Sequence, residues 1–167
     1  NAERSGEIIE DFQGTACIGH TRYATSGNAD PELAQPFEYR HSMPGKQFAL
    51  CFNGNLANYQ KLADKLQSEG HHMKHDVDTE VLMLYLAKVM QSAGQSKLSE
   101  VFSFLQKQID GACNMAFING AGDLVVYRDE HGLRPLCYGV RDKILFISSE
   151  DSALRRFVTD VQNIRPG

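Results

Sequence analysis

The 167-residue sequence lacks several features that mark specialised classes of protein. No apolar run approaches the roughly 20 residues that a membrane-spanning helix needs, and the first residues are too polar for a secretory signal. The longest basic cluster is the pair Arg155 and Arg156, and the formal net charge is −4. Electrostatics therefore give no support for nucleic-acid binding. These absences predict a protein with neither a membrane nor a nucleic-acid partner.

Cysteine is also sparse, and its spacing excludes the usual cysteine motifs. The four cysteines are Cys17, Cys51, Cys113 and Cys137, and no two form a C-x-x-C pair. Each lies among apolar neighbours, which predicts buried, reduced thiols in a cytoplasmic protein rather than a disulfide framework. Because an apolar setting raises the pKa of a thiol, we expect none of the four to act as a nucleophile.

The residues that are present suit one ordinary globular domain over residues 1–167, with 42% apolar and 23% charged residues. Apolar side chains recur at helical spacing in three segments. The first runs from Leu56 to Leu66 and ends before Gly70. The second begins near Asp78, a good N-cap, and the third follows a candidate N-cap at Ser96.

Strand patterns lie on both sides of these helices. We predict short strands over 15–20 and 47–52, separated by a long loop over 28–45, and the second strand stops at an Asn53-Gly54 turn. Two hairpins follow, over 112–128 and 135–148, and then a short helix near 151–157. Because strands and helices do not alternate, the order favours an α+β fold with antiparallel sheets.

Three polar segments at strand or helix ends carry candidate functional residues. The guanidinium of Arg22 suits a carboxylate, the carboxamide of Asn53 and the N–H of Gly54 suit an oxyanion, and Asp78 suits an ammonium group. Taken singly, each is better read as a solvated arginine, a tight turn or a helix cap. Taken together, they describe a pocket for a free α-amino acid.

The same segments carry a resemblance to a known family. Residues 20–27 (HTRYATSG), 52–56 (FNGNL) and 78–80 (DTE), in this order, resemble the class II glutamine amidotransferases, which are N-terminal nucleophile hydrolases. Residues 128–136 (RDEHGLRPL) and 148–150 (SSE) are most similar to the glutamine phosphoribosylpyrophosphate amidotransferase branch. The resemblance runs from about residue 14 to residue 167. It implies a four-layer αββα sandwich of two antiparallel sheets.

The resemblance also implies a role for each candidate residue. Arg22 binds the α-carboxylate of glutamine and Asp78 binds its α-ammonium group. The Asn53 side chain and the Gly54 N–H form the oxyanion hole, and Thr25 lines the glutamine pocket. The resemblance implies no cofactor for this domain, and it implies Mg²⁺ with phosphoribosyl pyrophosphate in a phosphoribosyltransferase domain beyond Gly167.

The sequence departs from the family at the nucleophile. The family uses an N-terminal cysteine whose own α-amino group is the base, whereas residue 1 is Asn1. We therefore expect a chain that is cut at both ends, truncated at the N-terminus, and inactive by itself. Strands missing from a sheet leave open edges, so we also expect a homo-oligomer.

Two other functions stay open at this point. The acceptor of ammonia could be another molecule, as in the glucosamine-6-phosphate synthases, although those enzymes usually have tryptophan where this chain has Tyr23. Alternatively, a non-catalytic domain could retain the fold for binding or assembly. His71, His72 and His75 lack further ligands nearby, which argues against a metal site, and Arg128 and Arg134 are expected to brace the turn between the hairpins.

Overall fold

The computed structural model describes residues 14–21, 30–94 and 96–167, so the predicted site residues Arg22 and Thr25 lie outside the described residues. The described part contains seven strands, four α-helices and two short 3-10 turns. In chain order, the strands and helices are β1 (Phe37–Tyr39), β2 (Phe48–Leu56), α1 (Tyr59–Ser68), α2 (Asp78–Ser92), α3 (Leu98–Gln106), β3 (Gly111–Asn119), β4 (Leu124–Arg128), β5 (Cys137–Arg141), β6 (Ile144–Ser148), α4 (Asp151–Leu154) and β7 (Gln162–Asn163).

The strands form two antiparallel sheets. The first has the order β1-β2-β3-β4 and the second has the order β6-β5-β7. In the first sheet, β2 pairs with β3 over its whole length, with Asn53 opposite Asn114 and Gly54 opposite Cys113. Helices α2 and α4 pack against the first and second sheets respectively. The structure therefore has the α+β class with two antiparallel sheets that the sequence predicts.

The main core lies between the first sheet and helices α1, α2 and α3. Residues at alternate positions of β2 face it, and the apolar stripes of the helices cover them. Each fully buried large apolar side chain contributes roughly 1.5–3 kcal/mol to stability by leaving water. The core residues with no exposed surface are Leu50, Leu66, Val81, Leu82, Leu86, Leu105, Cys113 and Phe117.

The three predicted helices are all present, with small differences at their ends. Gly70 follows α1 with φ +86°, a left-handed conformation that glycine adopts readily and that ends the helix where the sequence predicts. Two predicted caps are wrong, because the N-cap of α2 is Val77 and the N-cap of α3 is Lys97. The fourth helix is shorter than predicted and ends at Leu154.

The strand predictions need larger corrections. The predicted turn at Asn53-Gly54 is wrong, because β2 continues through both residues to Leu56. Nine residue pairs with β3 outweigh the local turn preference of the two residues. Residues 15–20 form no strand, and the predicted loop over 28–45 contains the short strand β1. Both predicted hairpins are present, as β3-β4 and β5-β6.

Candidate functional site

The site lies along the part of β2 that extends beyond its pairing with β1. The direction in which the backbone N–H groups of this part point decides which of them a ligand could reach. The N–H of Cys113 donates to Asp129 Oδ2 at 3.1 Å, and the carbonyl of Cys113 accepts from Asp129 N at 2.9 Å. The backbone N–H and carbonyl groups of Cys113 therefore point toward β4 rather than toward β2. Because hydrogen bonding alternates along an antiparallel ladder, the N–H of Gly54, opposite Cys113, points away from β3. The N–H groups of Phe52 and Leu56 share this direction.

Side-chain oxygens lie beside two of these three parallel donors. The Phe52 N–H donates to Gln35 Oε1 at 2.6 Å, and the Leu56 N–H lies near the carboxylate of Asp78 and favours its ionised form. The Gly54 N–H lies between them. In the part of the chain that the structure describes, no side chain accepts from it. The edge thus presents an open backbone donor next to an acid, which is an arrangement suited to binding a polarised carbonyl oxygen.

Gly54 is confined closely enough that only glycine fits. A Cβ atom at this position would lie 2.0 Å from the carbonyl oxygen of Ala112 and 2.7 Å from the ring of Phe52. Any side chain would push β2 away from β3 and would displace the Gly54 N–H. The requirement for glycine here arises from close packing on the strand, not from a turn.

The carboxamide of Asn53 is held in one orientation by Arg134. Arg134 Nη1 donates to Asn53 Oδ1 at 2.8 Å. A guanidinium has no acceptor, so the atom that faces it must be the amide oxygen, and the NH₂ group points elsewhere. The sequence predicts that Arg134 braces the turn between the hairpins, but its side chain contacts β2 instead. The two residues are 81 positions apart, so no local pattern could reveal this contact.

The other arginine of this segment does what the sequence predicts. Arg128 donates to the carbonyl oxygens of Gly132 at 2.9 Å, Arg134 at 3.0 Å and Ile164 at 2.5 Å. These bonds tie the turn after β4 to the segment that ends the chain. Arg128 is therefore a bracing residue.

Asp78, the first residue of α2, lies against the end of β2. Burial raises the pKa of its carboxyl above the ordinary value, although the N–H groups of Thr79, Asp78 and Leu56 and the charge of Arg134 oppose this rise. The hydroxyl oxygen of Thr79 accepts from Gln35 Nε2 at 3.2 Å. Because Gln35 also binds the Phe52 N–H, it links the start of α2 directly to β2.

The structure thus brings three of the five predicted site residues to one place. Asn53 and Gly54 are adjacent on β2, and the carboxylate of Asp78 lies near the N–H of Leu56, two positions further along the same strand. Arg22 and Thr25 lie outside the described residues. Two further residues that the sequence does not mark as site residues, Gln35 and Arg134, contact the site from distant parts of the chain. The roles of the five residues in glutamine binding stay predictions.

The cysteines differ from the sequence prediction at one position. Cys51, Cys113 and Cys137 are buried, but Cys17 is exposed, because residues 15–20 form no core strand. Burial raises the pKa of the Cys51 thiol to about 11 and raises the pKa of Cys113 and Cys137 above the ordinary value. At neutral pH these three thiols are protonated and weakly nucleophilic.

Other features of the described residues lie apart from this site. The described ranges contain no group of three or more His, Cys, Asp or Glu side chains that could hold a metal, and His75 Nε2 lies 3.6 Å from Glu32. None of the described helices is long and apolar enough to cross a membrane. A surface pocket of about 360 Å³ is lined by residues of α1, α2 and α3, including Tyr85 and Phe104, and by none of the predicted site residues.

Comparison with known proteins identifies the class to which this fold and site belong. A family model described as a glutamine amidotransferase domain matches residues 20–156. The chain belongs to this family of glutamine amidotransferase domains.

Two relatives of this chain are enzymes of the same kind. An amidophosphoribosyltransferase from Archaeoglobus fulgidus is 37% identical over 161 residues, which cover 92% of this chain and 34% of the relative. One from Pyrococcus horikoshii is 33% identical over 165 residues, which cover 97% of this chain and 34% of the relative. The chain thus spans about a third of the length of these relatives, and its glutamine amidotransferase domain is most like theirs.

Solved structures agree with the sequence comparison. A glutamine phosphoribosylpyrophosphate amidotransferase from Bacillus subtilis, complexed with ADP and GMP, matches with a TM-score of 0.75 and 29% identity. The matched region covers 89% of this chain and 30% of the Bacillus subtilis chain. A structure described as the allosteric regulatory enzyme of purine biosynthesis matches with a TM-score of 0.77 and 30% identity, covering 89% and 31%.

Proposed function

We propose that this chain is the glutaminase domain of an amidophosphoribosyltransferase and that it releases ammonia from glutamine for transfer to phosphoribosyl pyrophosphate in purine biosynthesis. The observation that carries the proposal is the Gly54 N–H on β2, from which no described side chain accepts and which lies between the Phe52 N–H, bonded to Gln35, and the Leu56 N–H, near Asp78. Asn53 adds a carboxamide at the adjacent position. The family match and the relatives' names support the reaction class.

The proposed reaction divides amide hydrolysis into two acyl transfers. A cysteine thiolate attacks the side-chain amide carbon of glutamine, and the developing oxyanion accepts hydrogen bonds from Asn53 Nδ2 and the Gly54 N–H. The C–N bond then breaks, and the leaving nitrogen takes a proton and departs as ammonia. Water attacks the thioester, which gives glutamate and restores the thiol.

Substrate binding would place the α-ammonium group of glutamine on Asp78 and its α-carboxylate on Arg22, with Thr25 lining the pocket. An ionised Asp78 is needed for the first contact. The charge of Arg134 favours the ionised form, against the effect of burial. The charged groups would fix the amino-acid end of the substrate and so orient its side-chain amide toward the two donors.

The nucleophile would be an N-terminal cysteine with its own α-amino group as the base. The buried thiols of Cys51 and Cys113 have raised pKa values, so neither is suited to this role.

Three further proposals concern the surroundings of the domain. It needs no cofactor of its own, and Mg²⁺ acts with phosphoribosyl pyrophosphate in a phosphoribosyltransferase domain of the same enzyme. The enzyme works in the cytoplasm as a homo-oligomer.

One relative of the chain leaves the acceptor of ammonia unnamed. A protein from Methanothermobacter thermautotrophicus that is named only a putative glutamine amidotransferase is 32% identical over 158 residues, which cover 93% of this chain and half of that protein. The domain therefore also resembles a relative with a different length and no stated acceptor. Identifying which molecule consumes the ammonia in the natural protein distinguishes the two functions.

The experiment measures glutaminase activity in the natural protein that carries this chain, after purification with its mature N-terminus. Asn53→Ala should lower kcat roughly 100- to 1,000-fold, as the loss of one oxyanion donor does, while Asp78→Asn should mainly raise KM. Asn163→Ala on β7 and Asp142→Asn in the turn between β5 and β6 are matched controls and should leave both constants unchanged. Absence of glutaminase activity in the unmodified protein would refute the proposal.

A further inference from the structure

We propose that Arg134 is a positioning residue for glutamine hydrolysis, because it orients Asn53 so that the amide NH₂ group faces the oxyanion. This inference rests on the proposed function, since it concerns the same reaction. The contact that carries it is the 2.8 Å hydrogen bond from Arg134 Nη1 to Asn53 Oδ1.

An asparagine needs such a partner to serve as an oxyanion donor. Its carboxamide has a donor end and an acceptor end of almost the same shape. Rotation by a half turn would place the carbonyl oxygen against the developing negative charge and would raise the barrier. Arg134 removes this alternative, because its guanidinium can only donate and therefore selects Oδ1 of Asn53. Preorganised donors stabilise the transition state because they need no reorientation during the reaction.

The loop that carries Arg134 is tied to the sheet on both sides. Before it, the carboxylate of Asp129 accepts from the N–H groups of His131 at 3.1 Å and Leu133 at 3.3 Å. After it, Asn114 Nδ2 donates to the carbonyl oxygen of Pro135 at 2.7 Å. Asn114 lies directly opposite Asn53 in the ladder. The side chain of Arg134 is exposed, but its backbone is anchored beside the residue that it orients.

Arg134 also has an electrostatic effect on Asp78, where its charge favours the ionised carboxylate. The two effects can be separated by substitution. Arg134→Met removes the charge and all five donors but keeps an apolar stem. Arg134→Lys keeps the charge on a single ammonium group, which lacks the planar fork of the guanidinium.

Steady-state glutaminase kinetics of the natural protein that carries this chain form the first test. Arg134→Met should lower kcat roughly 10- to 100-fold, less than the loss of the donor itself, and should also raise KM. Arg134→Lys should restore KM to near its original value but recover only part of kcat. Arg40→Met is the matched control and should change neither constant, because it removes an exposed arginine just after β1 that pairs only with Glu38, at 3.7 Å. An unchanged kcat in Arg134→Met, with Asn53→Ala still impaired, would overturn the inference and leave the proposed function intact.

The second test observes Asn53 itself and needs no activity. The side-chain amide resonances of the asparagines are recorded by ¹⁵N–¹H correlation NMR, with Asn53 assigned by its loss in Asn53→Ala. Arg134→Met should shift both Asn53 protons and leave those of Asn119 in place, because Asn119 Nδ2 is bonded to Asp123 at 2.9 Å far along the strand. The unmoved Asn119 signals also show that the variant is folded.

The two tests distinguish a failure of the proposed function from a failure of the positioning role of Arg134. If the unmodified protein has no glutaminase activity, the proposed function fails, and the NMR result alone decides whether Arg134 orients Asn53. Asn53 signals that stay in place in Arg134→Met would refute the positioning role whatever the activity. A shift of the Asn53 signals in Arg134→Met, absent in Arg40→Met, together with the kcat loss would establish it.

Discussion

At the scale of single residues, the carboxylate of Asp78 shows how a functional group can oppose stability. Burial raises its pKa, so the folded protein disfavours the ionised form, even though backbone N–H groups and the charge of Arg134 partly compensate. A folded pKa above the unfolded value of about 3.9 means that ionised Asp78 destabilises the fold at neutral pH. This penalty disappears as the pH falls below both values.

Replacement of Asp78 by asparagine should therefore raise stability and reduce function. At pH 7, Asp78→Asn should increase the melting temperature, and this gain should shrink as the pH is lowered through the range of carboxyl titration. The same substitution should weaken glutamine binding at least about 30-fold, because the α-ammonium group loses its charged partner. Thermal unfolding at several pH values and calorimetric titration with glutamine measure both effects. A lower melting temperature at pH 7 would show that ionised Asp78 stabilises the fold.

Site residues could be predicted where a sequence motif suits the chemistry. They could not be predicted where a contact depends on the fold. Asn53, Gly54 and Asp78 could be selected from the sequence because a donor amide, a glycine and an acid suit a polar substrate. The structure brings them together on β2 and α2. Gln35 and Arg134 could not be selected, since their partners lie 17 to 81 positions away along the chain. Only the strand pairing places them beside the site.

At the scale of elements, the turn after β4 depends on one buried acid. The carboxylate of Asp129 accepts from the backbone N–H groups of Cys113, His131 and Leu133. Burial alone would raise its pKa, but these donors together lower it below the ordinary value. The turn holds Arg134 in place, so the acid links local structure to the candidate site.

Loss of this acid should destabilise the fold and displace Arg134. Asp129→Ala should lower the free energy of unfolding by about 1–3 kcal/mol, because it leaves the buried N–H of Cys113 and two partly buried N–H groups without their acceptor. Because the folded pKa is depressed, the stabilisation from Asp129 is complete above the unfolded pKa of about 3.9 and is lost as the pH falls through the folded value. Urea unfolding of Asp129→Asn between pH 7 and pH 3 checks this, and the difference from the unmodified protein should narrow at the acid end. A constant difference across this range would contradict the assignment. Asp160→Asn is a matched control for an exposed acid in a loop.

Elements with strong local periodicity were predicted well, and elements defined by pairing were not. The helices α1, α2 and α3 follow from their apolar stripes, since a helix forms its backbone hydrogen bonds within itself. The extension of β2 through Asn53 and Gly54 depends on β3, more than fifty residues later in the chain. The short strands β1 and β7 likewise exist only because β2 and β5 lie beside them.

At the scale of the whole molecule, the second sheet exposes several apolar side chains on its surface. Its hairpin exposes Val140 by 60%, Ile144 by 55% and Leu145 by 51%. Within the described residues, β6 is an edge strand of this sheet. Exposed apolar residues on an edge strand favour association with other chains. The predicted homo-oligomer would be consistent with such a surface.

The 167-residue chain should therefore self-associate through this hairpin. Light scattering should give a mass above 18.6 kDa at micromolar concentration, and Leu145→Lys should shift the population toward the monomer by adding a charge at the edge. Lys107→Glu, a charge change at the end of α3, is the control and should not alter the mass. A monomer at all concentrations would refute the prediction.

The most direct test of the whole account is an NMR titration of the ¹⁵N-labelled chain with L-glutamine, which observes the oxyanion donors without requiring catalysis. We expect saturable shifts of the Gly54 backbone amide and the Asn53 side-chain amide. These shifts should be absent with D-glutamine and lost in Asp78→Asn. Gly54 and Asn53 signals that stay unchanged up to saturating L-glutamine would contradict the claim that this edge of β2 is the glutamine site.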